Sequence, residues 1–206
     1  QTLDPIDASN DPQFIIEVNL YDTLIFPDAE KGAVPWIAES WEISSDQKKY
    51  TFHLTEGIPF HDGTEITADD IVFSMDRMLT VGGYAANLFK GAIKPGSTKK
   101  LDKYTVEMNL ENADPKFLAC MFKFKILNKD LIMKNKQEGD YGEYGDYGKK
   151  FLQKHDAGSG PYMAVKHDFG DRLEMKRFDK YPFTDKKKGG FDSIKFYFIP
   201  EMVTMA

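Results

Sequence analysis

Cysteine is almost absent: the 206 residues contain one, Cys120. A lone thiol rules out an internal disulfide and any metal centre built on several cysteines. No apolar run approaches the roughly 18 residues that a membrane-spanning helix requires. Positive charge is in deficit, with 27 Lys and Arg against 33 Asp and Glu, for a net charge of −6. That balance excludes the concentrated positive field by which nucleic acid is held. The opening Gln1-Thr2-Leu3-Asp4-Pro5 has no initiator Met and no basic or apolar leader, and reads as a trimmed or processed chain. The histidines, His53, His61, His155 and His167, are too scattered for a helical zinc pair. No Walker lysine, dinucleotide-binding glycine pattern or calcium loop occurs.

What is present can build a core: 41% of residues are hydrophobic and 14% aromatic, which excludes disorder as a description of the whole chain. Asp11-Pro12 followed by Phe14, Ile15, Val18 and Tyr21 predicts a helix, with Asp11 as its cap. Residues 36–43 and 49–54 read as strands around the polar turn Ser44-Ser45-Asp46-Gln47. Tyr50, Phe52 and Leu54 share one face of the second strand. Thr67-Ala68-Asp69-Asp70 opens a further helix through a capping-box variant. Ile71, Met75, Met78 and Leu79 form its buried stripe. Residues 104–110 alternate as a strand, Asp114-Pro115 opens one short helix, and Asn128 caps another. Leu173–Phe178 and Ile194–Ile199 predict strands, with a solvated charged turn at 185–190 between them. Hairpins without regular βαβ alternation place the chain in the α+β class with a mixed sheet.

Three segments invite a chemical reading. His61-Asp62 is the tightest His/carboxylate pair, and it sits in a turn. Gly158-Ser159-Gly160-Pro161 lacks the glycine spacing of a nucleophile elbow and reads as a turn that launches a strand. Tyr-Gly recurs every three residues from 141 to 148, which predicts a flexible surface loop. Cys120, between Phe117-Leu118 and Met121, is expected to be buried and inert.

A resemblance carries the reading further. Asn19-Leu20-Tyr21-Asp22-Thr23-Leu24-Ile25 and Val34-Pro35-Trp36-Ile37-Ala38-Glu39-Ser40-Trp41-Glu42-Ile43 resemble the opening of the family-5 extracellular solute-binding proteins. These are the peptide-, dipeptide- and nickel-binding receptors of ABC importers. The likeness continues through Tyr50-Thr51-Phe52-His53-Leu54, Phe60-His61-Asp62-Gly63 and Thr67-Ala68-Asp69-Asp70-Ile71-Val72-Phe73-Ser74, and again from Gly158-Ser159-Gly160-Pro161-Tyr162 to Ile199-Pro200.

The resemblance implies a periplasmic-binding-protein-like type II lobe, of which the chain holds the first lobe and its inserted subdomain, truncated before the second lobe. Residues 1–22 and 157–206 would form the main lobe and 23–156 the inserted subdomain. The implied function is capture of peptides, oligopeptide or dipeptide, for transmembrane uptake. A nickel or other metal chelate and an oligosaccharide are the alternatives within the class, and a hydrolase using His61 and Asp62 is the alternative outside it. No catalytic residue, metal or cofactor is implied. The partners would be the solute and the importer's permease subunits. The location would be periplasmic or extracellular, with membrane contact only through the permease or a lipid anchor. In the peptide binders the loop after the first strand faces the ligand, and it matches Ala8-Ser9-Asn10-Asp11, whose short polar side chains suit a peptide amine. In the nickel-binding branch an aromatic and an arginine of the subdomain face the cleft; Tyr84 and Lys123 fall near those places, with Lys where the branch has Arg.

Overall fold

The structure is a computed structural model that describes residues 2–7, 10–183 and 190–198. Strands β1 (Ile25–Asp28) and β2 (Gly32–Pro35) form a hairpin. Strands β3 (Ala38–Ile43), β4 (Lys49–Leu54), β5 (Thr98–Lys100) and β6 (Thr105–Asn109) form a sheet in the order β3-β4-β6-β5. Strands β7 (Tyr162–Asp168), β8 (Arg172–Arg177) and β9 (Ser193–Tyr197) form another in sequence order. All of these pairings are antiparallel. The helices are α1 (Asp11–Leu20), α2 (Ala68–Val81), α3 (Tyr84–Phe89), α4 (Phe117–Cys120) and α5 (Lys129–Asn135). The α+β reading holds.

Period-two alternation puts Tyr50, Phe52 and Leu54 of β4 beside Val106 and Met108 of β6, all buried, while Thr51, His53 and Glu107 face outward. Each such aromatic or aliphatic side chain removed from water contributes about 1.5–3 kcal/mol. Helix α2 is the spine between two cores. Its predicted stripe, Ile71, Met75 and Met78, is buried in the first core, with Leu79 packed at the margin. Phe73, roughly opposite on the helical wheel, joins a second core with Ile16, Leu20, Tyr21, Leu127, Ile132, Leu173 and Met175.

Several details differ from the sequence reading. Asn10, not Asp11, caps α1: its side chain accepts from the Gln13 amide at 3.1 Å, and Asp11 occupies the exposed first helical position. At α2 the Thr67 hydroxyl donates to Asp70 Oδ2 at 2.9 Å, and the Thr67 amide donates to the same oxygen at 2.9 Å. The capping box read from the sequence is present there, and the other Asp70 oxygen receives the Lys129 amide. Asn128 does cap α5, accepting from Leu131 at 2.9 Å.

The Tyr-Gly segment is a folded turn, with Asp146, Tyr147 and Gly148 buried. The Asp146 carboxylate gathers the amides of Gln137, Gly148 and Lys150, and Tyr144 stacks on Tyr147 at 4.5 Å. Cys120 is half-buried, because α4 lies at the rim of its core; burial pushes its thiol pKa up, with Asp114 adding to the effect. Ile199 and residues 185–189 of the predicted turn lie outside the described residues.

Candidate functional site

Helix α1 carries the largest group of nominated residues. Asn10 and Asp11 form its exposed start, and Phe14 lies one turn along. Glu17, a turn further, is 2% exposed. A buried carboxylate requires partners, and two lysines supply them. Lys123 ends the short turn after α4, and the extended backbone at Phe124 places Lys125 on the same side. Lys123 Nζ donates to Glu17 Oε2 at 3.3 Å, while Lys125 Nζ stands 3.6 Å from Oε1. The Lys123 ammonium also sits 4.2 Å from the Phe14 ring centre, 5.6 Å from that of Tyr84 and 5.9 Å from that of Phe122. Tyr84, at the start of α3, is 47% exposed and forms the open side of this collar.

The structure therefore brings Tyr84 and Lys123 together, and sets Lys123 against the helix that Asn10 caps and Asp11 opens. Ser9 lies outside the described residues. Phe14, Glu17, Phe122 and Lys125 were not nominated from sequence. A signal for two of them existed: Lys123 and Lys125 interrupt the apolar run Phe122-Phe124-Ile126-Leu127, and lysines at core positions require an acid nearby.

Burial governs the electrostatics. It pushes the Glu17 pKa up against the lowering influence of Lys125 and Lys123. It pulls Lys125 down against the raising influence of Glu17 and Asp22. One carboxylate shared by two ammonium groups, screened from water by aromatic rings, gives a buried polar wall. A cavity of about 10 Å³ adjoins it, lined in part by Ser74, Arg77, Lys123 and Lys125, with room for about one water molecule.

A second polar centre joins distant parts of the chain. The Asp22 carboxylate accepts from Trp36 Nε1, the Tyr181 hydroxyl and the Ser159 hydroxyl, each at 2.8 Å. Beside it, His61 is paired with Asp156, 95 residues away, and not with its neighbour Asp62. Asp62 instead accepts from Thr64 and Asn128. Gly158 and Gly160 are required here by close approach. A Cβ at Gly158 would lie 1.9 Å from the Leu20 carbonyl oxygen, and one at Gly160 would lie 2.6 Å from that of Asn19. The Ser159 hydroxyl, fully buried on Asp22, is closed to a substrate. Among the described residues no three His, Cys, Asp or Glu side chains converge to hold a metal, and no helix is long and apolar enough to cross a membrane.

Comparison with known proteins gives a consistent set of likenesses. The family model described as bacterial extracellular solute-binding proteins, family 5 Middle, matches residues 32–206. The dipeptide-binding protein of Escherichia coli strain K12 is 31% identical over 203 residues, covering 89% of this chain and 36% of that protein. Heme-binding protein A of Haemophilus influenzae is 30% identical over 181 residues, covering 79% of this chain and 32% of that protein. Among solved structures, the oligopeptide-binding protein AppA of Bacillus subtilis, in complex with a nonapeptide, superposes with a TM-score of 0.78 at 23% identity, over 98% of this chain and 38% of that one. The chain thus spans about a third of the length of the curated relatives it matches. The fold is that of periplasmic binding proteins of type II.

Proposed function

Since the chain belongs to the bacterial extracellular solute-binding proteins of family 5, we propose that it is part of the receptor of an ABC importer and captures peptides for uptake. The family is one of binding receptors and not of enzymes. One observation carries the peptide reading: the likeness to a dipeptide-binding protein runs along 89% of the chain. In this reading residues 1–22 and 157–206 belong to the main lobe and 23–156 form the inserted subdomain. Asn10, Asp11, Tyr84 and Lys123 contribute one wall of the ligand site, and permease subunits are the partners. The protein acts in the periplasm or at the outer cell surface.

The arrangement supports this chemically. The start of α1 offers short polar side chains to a peptide backbone, and the aromatic collar around Lys123 offers an apolar surface with a cation behind it. Calorimetry on the product of the whole reading frame, with a mixed library of di- to pentapeptides, tests the reading. Saturable binding weakened by Tyr84→Ala and Lys123→Met is the expected result. Binding of heme or a nickel–histidine chelate with no response to peptides would overturn it.

A further inference from the structure

His61 stands in the turn before α2, and its ring meets an acceptor at each nitrogen. Nδ1 lies 2.5 Å from Asp156 Oδ1, and Nε2 lies 3.0 Å from the Gly160 carbonyl oxygen. A neutral imidazole has one N–H and can satisfy only one of these acceptors, whereas the imidazolium satisfies both. The His61 side chain is 7% exposed and its ring packs edge-on to Phe178 at 5.1 Å, so water is a poor substitute for either partner. The His61 amide also donates to the Gly158 carbonyl at 2.9 Å. Asp156 holds its own segment in shape, accepting from the amides of Gly158 at 3.2 Å and Ala164 at 2.8 Å.

Other charges near this ring are committed elsewhere or stand further off. Asp22 is occupied by Trp36, Ser159 and Tyr181. Asp62 is occupied by Thr64 and Asn128. Lys180 Nζ approaches Gly63, at 4.0 Å from where a Cβ would stand. Among the described residues, Asp156 is the one whose carboxylate oxygen pairs with the imidazole.

We propose that His61 is a proton-operated clasp: as imidazolium it ties the 60–63 turn to the 156–164 segment, and on losing its proton it gives up one of the two bonds. Burial opposes the charge, but the Asp156 carboxylate and the Gly160 carbonyl outweigh it and raise the His61 pKa above the ordinary histidine range. The clasp is therefore closed below that raised value and loosens as pH rises through it. The segment it holds is the one that grips α1, since the Gly160 amide donates to the Leu20 carbonyl at 3.0 Å. Proton loss at His61 thus relaxes the anchor of the helix whose far end bears Asn10 and Asp11.

The test is carried out on the full chain. Proton–carbon NMR of the histidine rings across pH gives four titration midpoints, and hydrogen exchange with mass spectrometry follows residues 156–164. The His61 midpoint is expected above that of ordinary histidine. Exchange in 156–164 should rise as pH passes that midpoint, by about tenfold beyond intrinsic base catalysis. Asp156→Asn should return the midpoint to the ordinary range, and His61→Gln should remove the step in exchange. A His61 midpoint at or below those of His53, His155 and His167, or exchange that follows the intrinsic rate alone, overturns the proposal. Both readouts come from the unaltered chain, so a variant that fails to fold does not shelter it.

Discussion

Arg77 and Lys125 line the same small cavity, and both are buried, yet the fold treats them differently. The Arg77 guanidinium donates to Tyr147 O at 2.8 Å, to Asp4 Oδ1 at 2.9 Å and to Asp4 Oδ2 at 2.5 Å. Lys125 has an ion pair at 3.6 Å to Glu17 Oε1, an oxygen that itself accepts no hydrogen bond. Burial lowers the Lys125 pKa, whereas at Arg77 the influence of Asp4 outweighs burial and the pKa rises. Proximity of opposite charge is common to both. A planar fork with matched hydrogen bonds offsets desolvation, and a loose point-charge contact does so only in part. The first arrangement is a structural lock, and the second is a wall with unused bonding capacity.

The largest test of that contrast is Asp4→Ala, which strands a buried guanidinium and should cost about 3–5 kcal/mol in urea denaturation. A loss below about 1 kcal/mol would put the pair on a level with surface ion pairs. A smaller effect is expected from pH at the third buried pair, His61–Asp156. The His61 pKa is raised on folding. Its contribution is therefore complete below the unfolded value of about 6.5 and is lost as pH rises through the folded value. Urea midpoints should fall across that window in the wild type and stay level in His61→Gln; a midpoint that climbs would reverse the assignment. Thr67→Ala should cost about 1 kcal/mol, since it removes a donor from the half-buried cap at Asp70, and local hydrogen exchange at the start of α2 would report it. Lys125→Met is expected to change stability by less than about 1 kcal/mol or to increase it. If it costs as much as Asp4→Ala, the contrast between lock and wall collapses.

Sequence disclosed what is local. The alternation in β4 and β6, the stripe of α2 and the cap of α5 are all set by neighbours within a few residues, and all are found. The cap of α1 falls to Asn10 and not to Asp11 because several short polar side chains at a helix start can each take it, whereas the Thr67–Asp70 capping box is found. The β1–β2 hairpin escaped notice, since Pro27 and Pro35 weaken the strand pattern and are tolerated at a two-stranded edge. At the candidate site, Tyr84 and Lys123 were reached through resemblance, but Glu17 and Lys125 were not. Their pairing spans more than a hundred residues of chain, and nothing in local periodicity encodes it. The same holds for His61 and Asp156: the adjacent Asp62 offered a nearer carboxylate, and the turn directs it to Asn128 instead.

The contact of Gly158 and Gly160 with the end of α1 is made chiefly of main-chain atoms, with the Tyr21 ring beside Gly158. The helix and the strand that follows are thus held at backbone distance, and a displacement of one is passed to the other. Adding atoms breaks the contact: Gly158→Ala would drive a methyl group into the Leu20 carbonyl. The junction is thus closed to any side chain at two positions.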